Sequence, residues 1–381
     1  MRAKLPFKLW RAAGWVLALA AVLLAGPMPR PTPAAAAPPT AGAGAASVAS
    51  AAPAPAAPAA IMGAPDAQGL TTVKVGMQYL ISDAGVLIAD EYGYFRDVGI
   101  AIDPQRLDNP ELQAGMASGQ VDVGGIGPTG ALVNAVLRGI RLRMVGDRGT
   151  LAPGYGYLAL VARKGLVDSG QVRDVADLRG RKLAAQPPLY ATPGYYVLFK
   201  MLENAGLRED DLEFVPLGFA DQAAGLAGGT IDAFWGAEPA PTTVVGQGLG
   251  VRLRGGDEAV PNFDLGVLAY SEPFAAQTDL ARRFMVAFLR GVRVYLDAFT
   301  RNVGRDRVVD LFTRQTALKD PTLYDRMVMP YMNPDGAFNT LAYQQVQEYY
   351  VRHGVVPQTI DMSQIVDNSF AEYAAQQLGP Y

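Results

Sequence analysis

The chain has 381 residues, with 33 Lys+Arg against 36 Asp+Glu, one His and no Cys. The lack of cysteine excludes disulfides, thiolate metal sites, Cys nucleophiles and a lipid-modified N-terminal Cys. Residues 68–381 hold 28 basic and 35 acidic residues, a net charge of −7 with no Lys/Arg run, so nucleic acid is not expected as a partner.

The chain opens MRAKLPFKLWR, with Arg2, Lys4, Lys8 and Arg11 ahead of the apolar stretch AAGWVLALAAVLLA, residues 12–25. That stretch is short for a membrane span and normal for a secretory signal, so we expect an export signal over 1–26, either cleaved or kept as an anchor. Residues 27–70 read as an Ala/Pro-rich disordered tether. Of the 39 residues from 27 to 65, 17 are Ala and 10 are Pro, leaving almost nothing large to bury.

From Thr71 onward, short apolar runs alternate with helical patterns. Strands are expected at 72–77, 98–103, 120–125, 141–146, 156–163, 181–186, 212–217, 230–235, 250–254 and 265–271. Helices are expected at 83–94, 109–118, 128–139, 194–205, 219–228 and 239–248. This alternation predicts α/β layers. After Pro273 the pattern turns helical. Leu280, Phe284, Phe288, Val292, Tyr295 and Phe299 share one face of a long helix, and further helices are expected at 304–316, 320–332, 339–353 and 361–377.

The chain also echoes itself. AGMASGQVDV (114–123) and AGLAGGTIDA (224–233) align at an offset of 110 residues. Each reads as a helix end, a Gly turn and a strand entered through an Asp. One α/β unit used twice predicts two similar lobes facing across a cleft lined by strand-end loops. Asp122 and Asp232 are expected to serve turn hydrogen bonds.

GIGPTG (125–130) matches the glycine spacing of a dinucleotide-binding turn, and Asp147 follows 17 residues later at the end of the next apolar run. Three observations weigh against a nicotinamide cofactor. Two strands come earlier, Pro128 sits where pyrophosphate would need close approach, and the echo reuses no such motif. The helix opening at Pro128–Thr129 still presents an expected anion or polar-ligand site.

The stretches VKVGMQYLISDAGVLIADEYGYFRDVGIAID, LQAGMASGQVDVGGIGPTGALVNAVLRGIRLRMVG, VADLRGRKLAAQPPLYATPGYYVLFKMLENAGL, GGTIDAFWGAEPAPTTVV and LGVLAYSEPFAAQTDLARRFMVAFLRGV together resemble ABC-transporter substrate-binding proteins. The resemblance is to the nitrate/sulfonate/taurine class, which includes the thiamine-pyrimidine binders, and it covers about residues 72–377. It implies a two-lobed type II periplasmic-binding fold with a helical C-terminal region. Lobe 1 would be 71–159 plus 263–381 and lobe 2 would be 160–262, with GYLALVAR and LGVLAYS as hinge strands. It further implies an extracytoplasmic monomer that closes on a small-molecule ligand, docks on a membrane permease, and needs no catalysis, cofactor or metal.

In such a fold four loops would meet the ligand. The first offers Gln78, Tyr79, Ser82 and Asp83, and the second Gly125, Ile126, Gly127, Pro128 and Thr129. The third offers Tyr190, Thr192, Pro193, Gly194 and Tyr195, and the fourth Trp235 and Glu238. Arg148 is the best-placed cation. Tyr196 and Phe199 read as core, while Tyr155 and Tyr157 read equally as hinge packing or ligand contacts. Arg148 with two helix N-termini suits a sulfonate, carboxylate or nitrate, the aromatic residues suit a flat ring, and Glu238 suits an amino group. The combination leans towards an amino-sulfonate or an aminated heterocycle. The rival readings are an enzyme on the same fold, such as a thiamine-pyrimidine synthase, and a ligand-sensing ectodomain. The only His, His353 in YYVRHGVV, reads as a solvated helix end rather than a base.

Overall fold

The computed structural model describes residues 69–381. The expected export signal and residues 27–68 of the expected tether lie outside the described residues. Ten strands follow in chain order: β1 (Thr71–Met77), β2 (Ile100–Arg106), β3 (Val123–Ile126), β4 (Leu142–Leu151), β5 (Leu158–Arg163), β6 (Lys182–Ala185), β7 (Glu213–Pro216), β8 (Ala233–Ala237), β9 (Gly250–Gly255) and β10 (Phe263–Ser271). Each falls on one of the apolar runs read from the sequence, as expected for strands covered on both faces by helices.

The strands form two five-stranded mixed sheets, ordered β2-β1-β3-β10-β4 and β7-β6-β8-β5-β9. The two orders describe one unit built twice. In each, the first three strands run parallel, and the fourth is antiparallel to both its neighbours. That fourth strand is the one displaced in sequence. The chain crosses between the sheets at 152–157 and again at 256–262, so β5 and β10 each lie wholly within one sheet.

The echo has a physical basis. Gly119 and Gly229 both adopt left-handed φ, 72° and 70°, which a residue with a Cβ rarely tolerates. Asp122 accepts the Lys74 amide at 2.9 Å, and Asp232 accepts the Lys182 amide at 3.1 Å. In both copies the carboxylate ties the entry of a central strand to its parallel neighbour, β1 or β6.

The helix Thr278–Thr300 closes the first sheet. Leu280, Phe284, Phe288, Val292 and Tyr295 are buried along one face, and Phe299 is half-buried. Each large side chain there stabilises the fold by about 1.5–3 kcal/mol through apolar burial.

Two expected helices fail. Residues 320–332 give only the short 3-10 turn Pro321–Asp325, followed by an extended segment whose Tyr331 bridges Thr150. Pro330 disfavours helical backbone at Met329, and its ring cannot donate a ladder bond. Of 361–377, only Ser369–Leu378 is α-helical, preceded by a 3-10 turn at Met362–Gln364 and a bridge from Val366 to Met144.

Candidate functional site

The loop after β1 turns sharply. Tyr79 takes φ 58°, and Ile81–Asp83 forms a 3-10 turn held by the Leu80 amide donating to Asp83 Oδ2 at 3.0 Å. This turn buries Asp83 and aims its other oxygen at Arg148 on β4. Arg148 Nε donates to Asp83 Oδ1 at 3.0 Å, and Nη2 lies 2.8 Å from the same oxygen. Both side chains are almost wholly buried. Gly125 on β3 makes room for them, since a Cβ there would run into the guanidinium.

Arg148 has five N–H donors, and a single carboxylate oxygen faces them. Nη2 is buried and ion-paired with Asp83 Oδ1, but it is not aligned to donate a hydrogen bond to that oxygen or to any other acceptor among the described residues. This cation sits at the edge of a cavity of about 530 Å³ between the two sheets. Its first-sheet side comprises Gln78, Tyr79, Leu80, Ile81, Ser82, Asn109, Gly127, Leu265 and Gly266. From the second side come Tyr157, Ala237, Glu238 and Pro239, and Thr316, Ala317, Leu318, Met327 and Pro330 complete the wall. Most of these side chains are apolar, and the size is that of a pocket for an organic molecule.

Two buried acids lie near Arg148. Asp147 accepts the Gly149 amide at 2.8 Å and the Asn333 amide at 2.7 Å, and burial pushes its carboxyl up to about 6. Asp264 accepts the Thr150 hydroxyl and the Asn339 amide, both at 2.5 Å. Burial, reinforced by the charge of Asp147, pushes it up to about 8. Asp147 is therefore tied to the protein's own backbone rather than poised for a ribose.

The structure brings together Gln78, Tyr79, Ser82, Gly127, Arg148 and Glu238 on this cavity, with Asp83 behind Arg148. The other sequence-derived candidates sit elsewhere. Ile126 is fully buried in β3, and the Pro128 carbonyl accepts the Tyr350 hydroxyl at 3.2 Å. Thr129 caps the helix Gly130–Leu137 by accepting the Leu132 amide at 3.3 Å. The anion site expected at that helix start is engaged by the chain itself, because the Gly130 amide donates to the Ala191 carbonyl at 3.0 Å. A Cβ at Gly130 would strike Val355. Two of the three motif glycines thus serve the protein's own packing, Gly125 making room for Arg148 and Gly130 for the C-terminal segment.

The third loop is closed in the same way. Tyr190, with φ 65°, stacks on His353 at 4.8 Å with the rings 2° from parallel. Tyr195 is buried and donates to the Gln186 carbonyl at 3.2 Å. Thr192 and Pro193 open the helix Pro193–Asn204, and the Gly194 carbonyl accepts Trp235 Nε1 at 3.0 Å. Trp235 is buried rather than lining the cavity. Glu238 borders the cavity, but its carboxylate is engaged: Oε1 accepts from Arg252 Nη1 at 2.9 Å and from the Val328 amide at 3.4 Å, and Oε2 accepts the Thr242 amide at 3.1 Å. The expectation that Glu238 receives a ligand amino group does not fit this arrangement.

His353 differs from its sequence reading as well. It ends the helix Thr340–Arg352 inside a cage of Tyr190, Tyr349 and Phe199, with Nε2 3.3 Å from Glu209 Oε1. Burial lowers the imidazole pKa and raises that of Glu209 to about 7. Sequence reasoning missed Asn109, Leu265 and the whole 316–330 wall. A pattern of i, i+4 spacing cannot signal a segment that acts as a wall without being a helix.

A twice-used α/β sheet unit with an organic-sized cavity between the copies defines a two-lobed binding fold of the periplasmic type. The chain belongs to the NMT1/THI5-like family, whose model matches residues 81–298. A protein of Escherichia coli (strain K12) described as binding aliphatic sulfonates is 26% identical over 208 residues, which cover 52% of this chain and 60% of that relative. The crystal structure of the periplasmic aliphatic sulphonate binding protein SsuA from Escherichia coli superposes with a TM-score of 0.63 at 20% identity, covering 77% of this chain and 91% of that one. The desulfurization enzyme DSZB shares the fold at a TM-score of 0.58 and 16% identity, covering 81% of this chain and 99% of its own. Among the described residues no helix is long and apolar enough to cross a membrane.

Proposed function

We propose that this protein is an extracytoplasmic solute-binding component of an ABC importer, and that it holds a small organic anion of the sulfonate type in the cavity between its sheets. The observation that carries this reading is Arg148. A buried guanidinium with donors in excess of its one carboxylate partner favours an anionic headgroup, and a planar fork matches the oxygens of a sulfonate or carboxylate. The apolar surroundings favour an organic body over nitrate, which would leave most of the cavity unfilled. The Glu238 carboxylate is engaged by Arg252 and the Thr242 amide, so it is not free to receive an amino group of the ligand. The membrane permease as partner and the extracytoplasmic location rest on the family and on the relatives' descriptions.

Binding is favoured over catalysis. Ser82, Thr316, Tyr79 and Tyr157 are the hydroxyl-bearing residues on the cavity wall, and among the described residues neither His nor Cys lines it. The experiment is calorimetric titration of the purified protein with alkanesulfonates, taurine, nitrate, aminopyrimidines and aromatic carboxylates. Saturable, reversible binding of an organic anion, weakened in Arg148→Lys, is the expected result. Preference for a neutral heterocycle, or release of inorganic sulfite from a bound sulfinate or sulfonate, would overturn it.

A further inference from the structure

Five residues of the cavity wall come from the chain beyond the last strand, β10. Thr316, Ala317, Leu318, Met327 and Pro330 lie on a strap, residues 316–333, that follows the helix Arg305–Gln315. The strap falls beyond the 81–298 segment matched by the family model.

The strap is irregular but firmly tied. The Tyr295 hydroxyl donates to the Pro330 carbonyl at 2.6 Å, and the Thr150 amide to the Tyr331 carbonyl at 2.7 Å. The Asn333 amide reaches Asp147 at 2.7 Å. At the other end, Arg305 Nη2 donates to the Tyr324 carbonyl at 2.8 Å, and the Tyr324 hydroxyl to the Leu318 carbonyl at 3.1 Å. All of these partners lie on the first-sheet side or within the C-terminal region. A single hydrogen bond reaches a second-sheet residue among those described, from the Val328 amide to Glu238 at 3.4 Å. Such a segment keeps its shape while its apolar side chains face the ligand space.

We propose that this strap is the specificity wall of the anion site. With the headgroup on Arg148, Ala317, Leu318, Met327 and Pro330 meet the organic body, so the site selects sulfonates that carry a bulky apolar group over short-chain ones. The inference rests on the anion-binding reading above. Arg148 supplies the part of the affinity common to every sulfonate, and the strap supplies the part that grows with apolar area, about fourfold in affinity for each buried methylene.

The test holds the headgroup constant and varies the body. Methanesulfonate, butanesulfonate, benzenesulfonate and naphthalene-2-sulfonate are titrated calorimetrically into the wild-type protein, into Leu318→Trp, which fills the cavity, and into Met327→Ala, which removes wall contact. Ala317→Leu is a milder filling variant to use if Leu318→Trp does not fold. In the wild type, affinity is expected to rise at least tenfold from methanesulfonate to benzenesulfonate. Either filling variant should weaken the aromatic sulfonates by about tenfold while leaving methanesulfonate within about threefold, and Met327→Ala should flatten the series. Equal shifts for all four ligands, or no shift in any variant, would overturn the strap as selector and leave the anion-binding reading intact. A wild-type protein that binds none of the four would overturn the anion-binding reading itself.

Discussion

The loops after β1 and β6 occupy equivalent places in the two sheets, and each carries a tyrosine in left-handed backbone: Tyr79 at φ 58° and Tyr190 at φ 65°. A bulky residue in that region costs about 1–3 kcal/mol, so the surrounding structure must hold both. Their surroundings differ. Tyr79 packs beneath the Arg106 guanidinium, 4.1 Å from its ring centroid, and still borders the cavity. Tyr190 is covered by His353 and flanked by Tyr195 and Phe214. The same backbone device faces the cavity in one copy and seals the protein against its own C-terminal segment in the other. A duplicated unit therefore preserves topology more faithfully than function, because the sheet order is fixed locally and the covering of each loop is not.

The largest effect is expected where the open copy is supported. Arg148→Ala leaves Asp83 buried and unpaired, which should cost about 3–5 kcal/mol in urea denaturation and abolish anion binding by calorimetry. The double variant Asp83→Asn/Arg148→Gln should recover most of that stability without recovering binding. Full binding in the double variant would remove Arg148 from the site.

The next effect depends on pH. Asp147 and Asp264 are raised from 3.8 to about 6 and about 8, so the folded state holds protons that the unfolded chain has already released. Their contribution to stability is complete below pH 4 and is lost as pH rises through 6 and then 8, with a slope of up to about 1.4 kcal/mol per pH unit for each proton. Urea midpoints measured from pH 5 to 9 should fall more steeply for the wild type than for Asp264→Asn, and parallel curves would contradict the assignment.

A smaller effect is expected from Gly125→Ala. The added Cβ must displace Arg148, at a cost of about 1–3 kcal/mol, and ligand affinity should fall although the new residue touches no ligand. Unchanged affinity would show that Arg148 need not sit where Asp83 holds it. The smallest effect tests the two tyrosines directly. Tyr190→Ala should lose about 0.5–1.5 kcal/mol of ring packing with affinity retained, whereas Tyr79→Ala should weaken ligand binding at a similar stability cost. The reverse pattern would move the ligand to the second lobe's loop.

The fold was legible because its signals are local. Apolar runs, helical spacing and the repeated AG…G…D segment placed all ten strands and the long helix Thr278–Thr300. Residues 320–332 misled because Pro330 turns the chain onto an extended path, and Met327, Met329 and Met332 reach the core at a spacing that is not helical. The lining of the candidate cavity was legible only in part. Gln78, Tyr79, Ser82, Gly127 and Arg148 follow from their places at strand ends and in loops, but Tyr190, Tyr195 and Trp235 are aromatic for reasons of packing.

The sequence by itself determined the alternation of strands and helices, the doubled unit, and the presence of one arginine at the end of a buried run. Tertiary structure alone decided which charges remain available. Arg148 meets Asp83 from 65 positions away, and Glu238 meets the Val328 amide from 90. Whether a buried charge faces a ligand or a partner within the chain depends on contacts across such separations, and no local pattern encodes them.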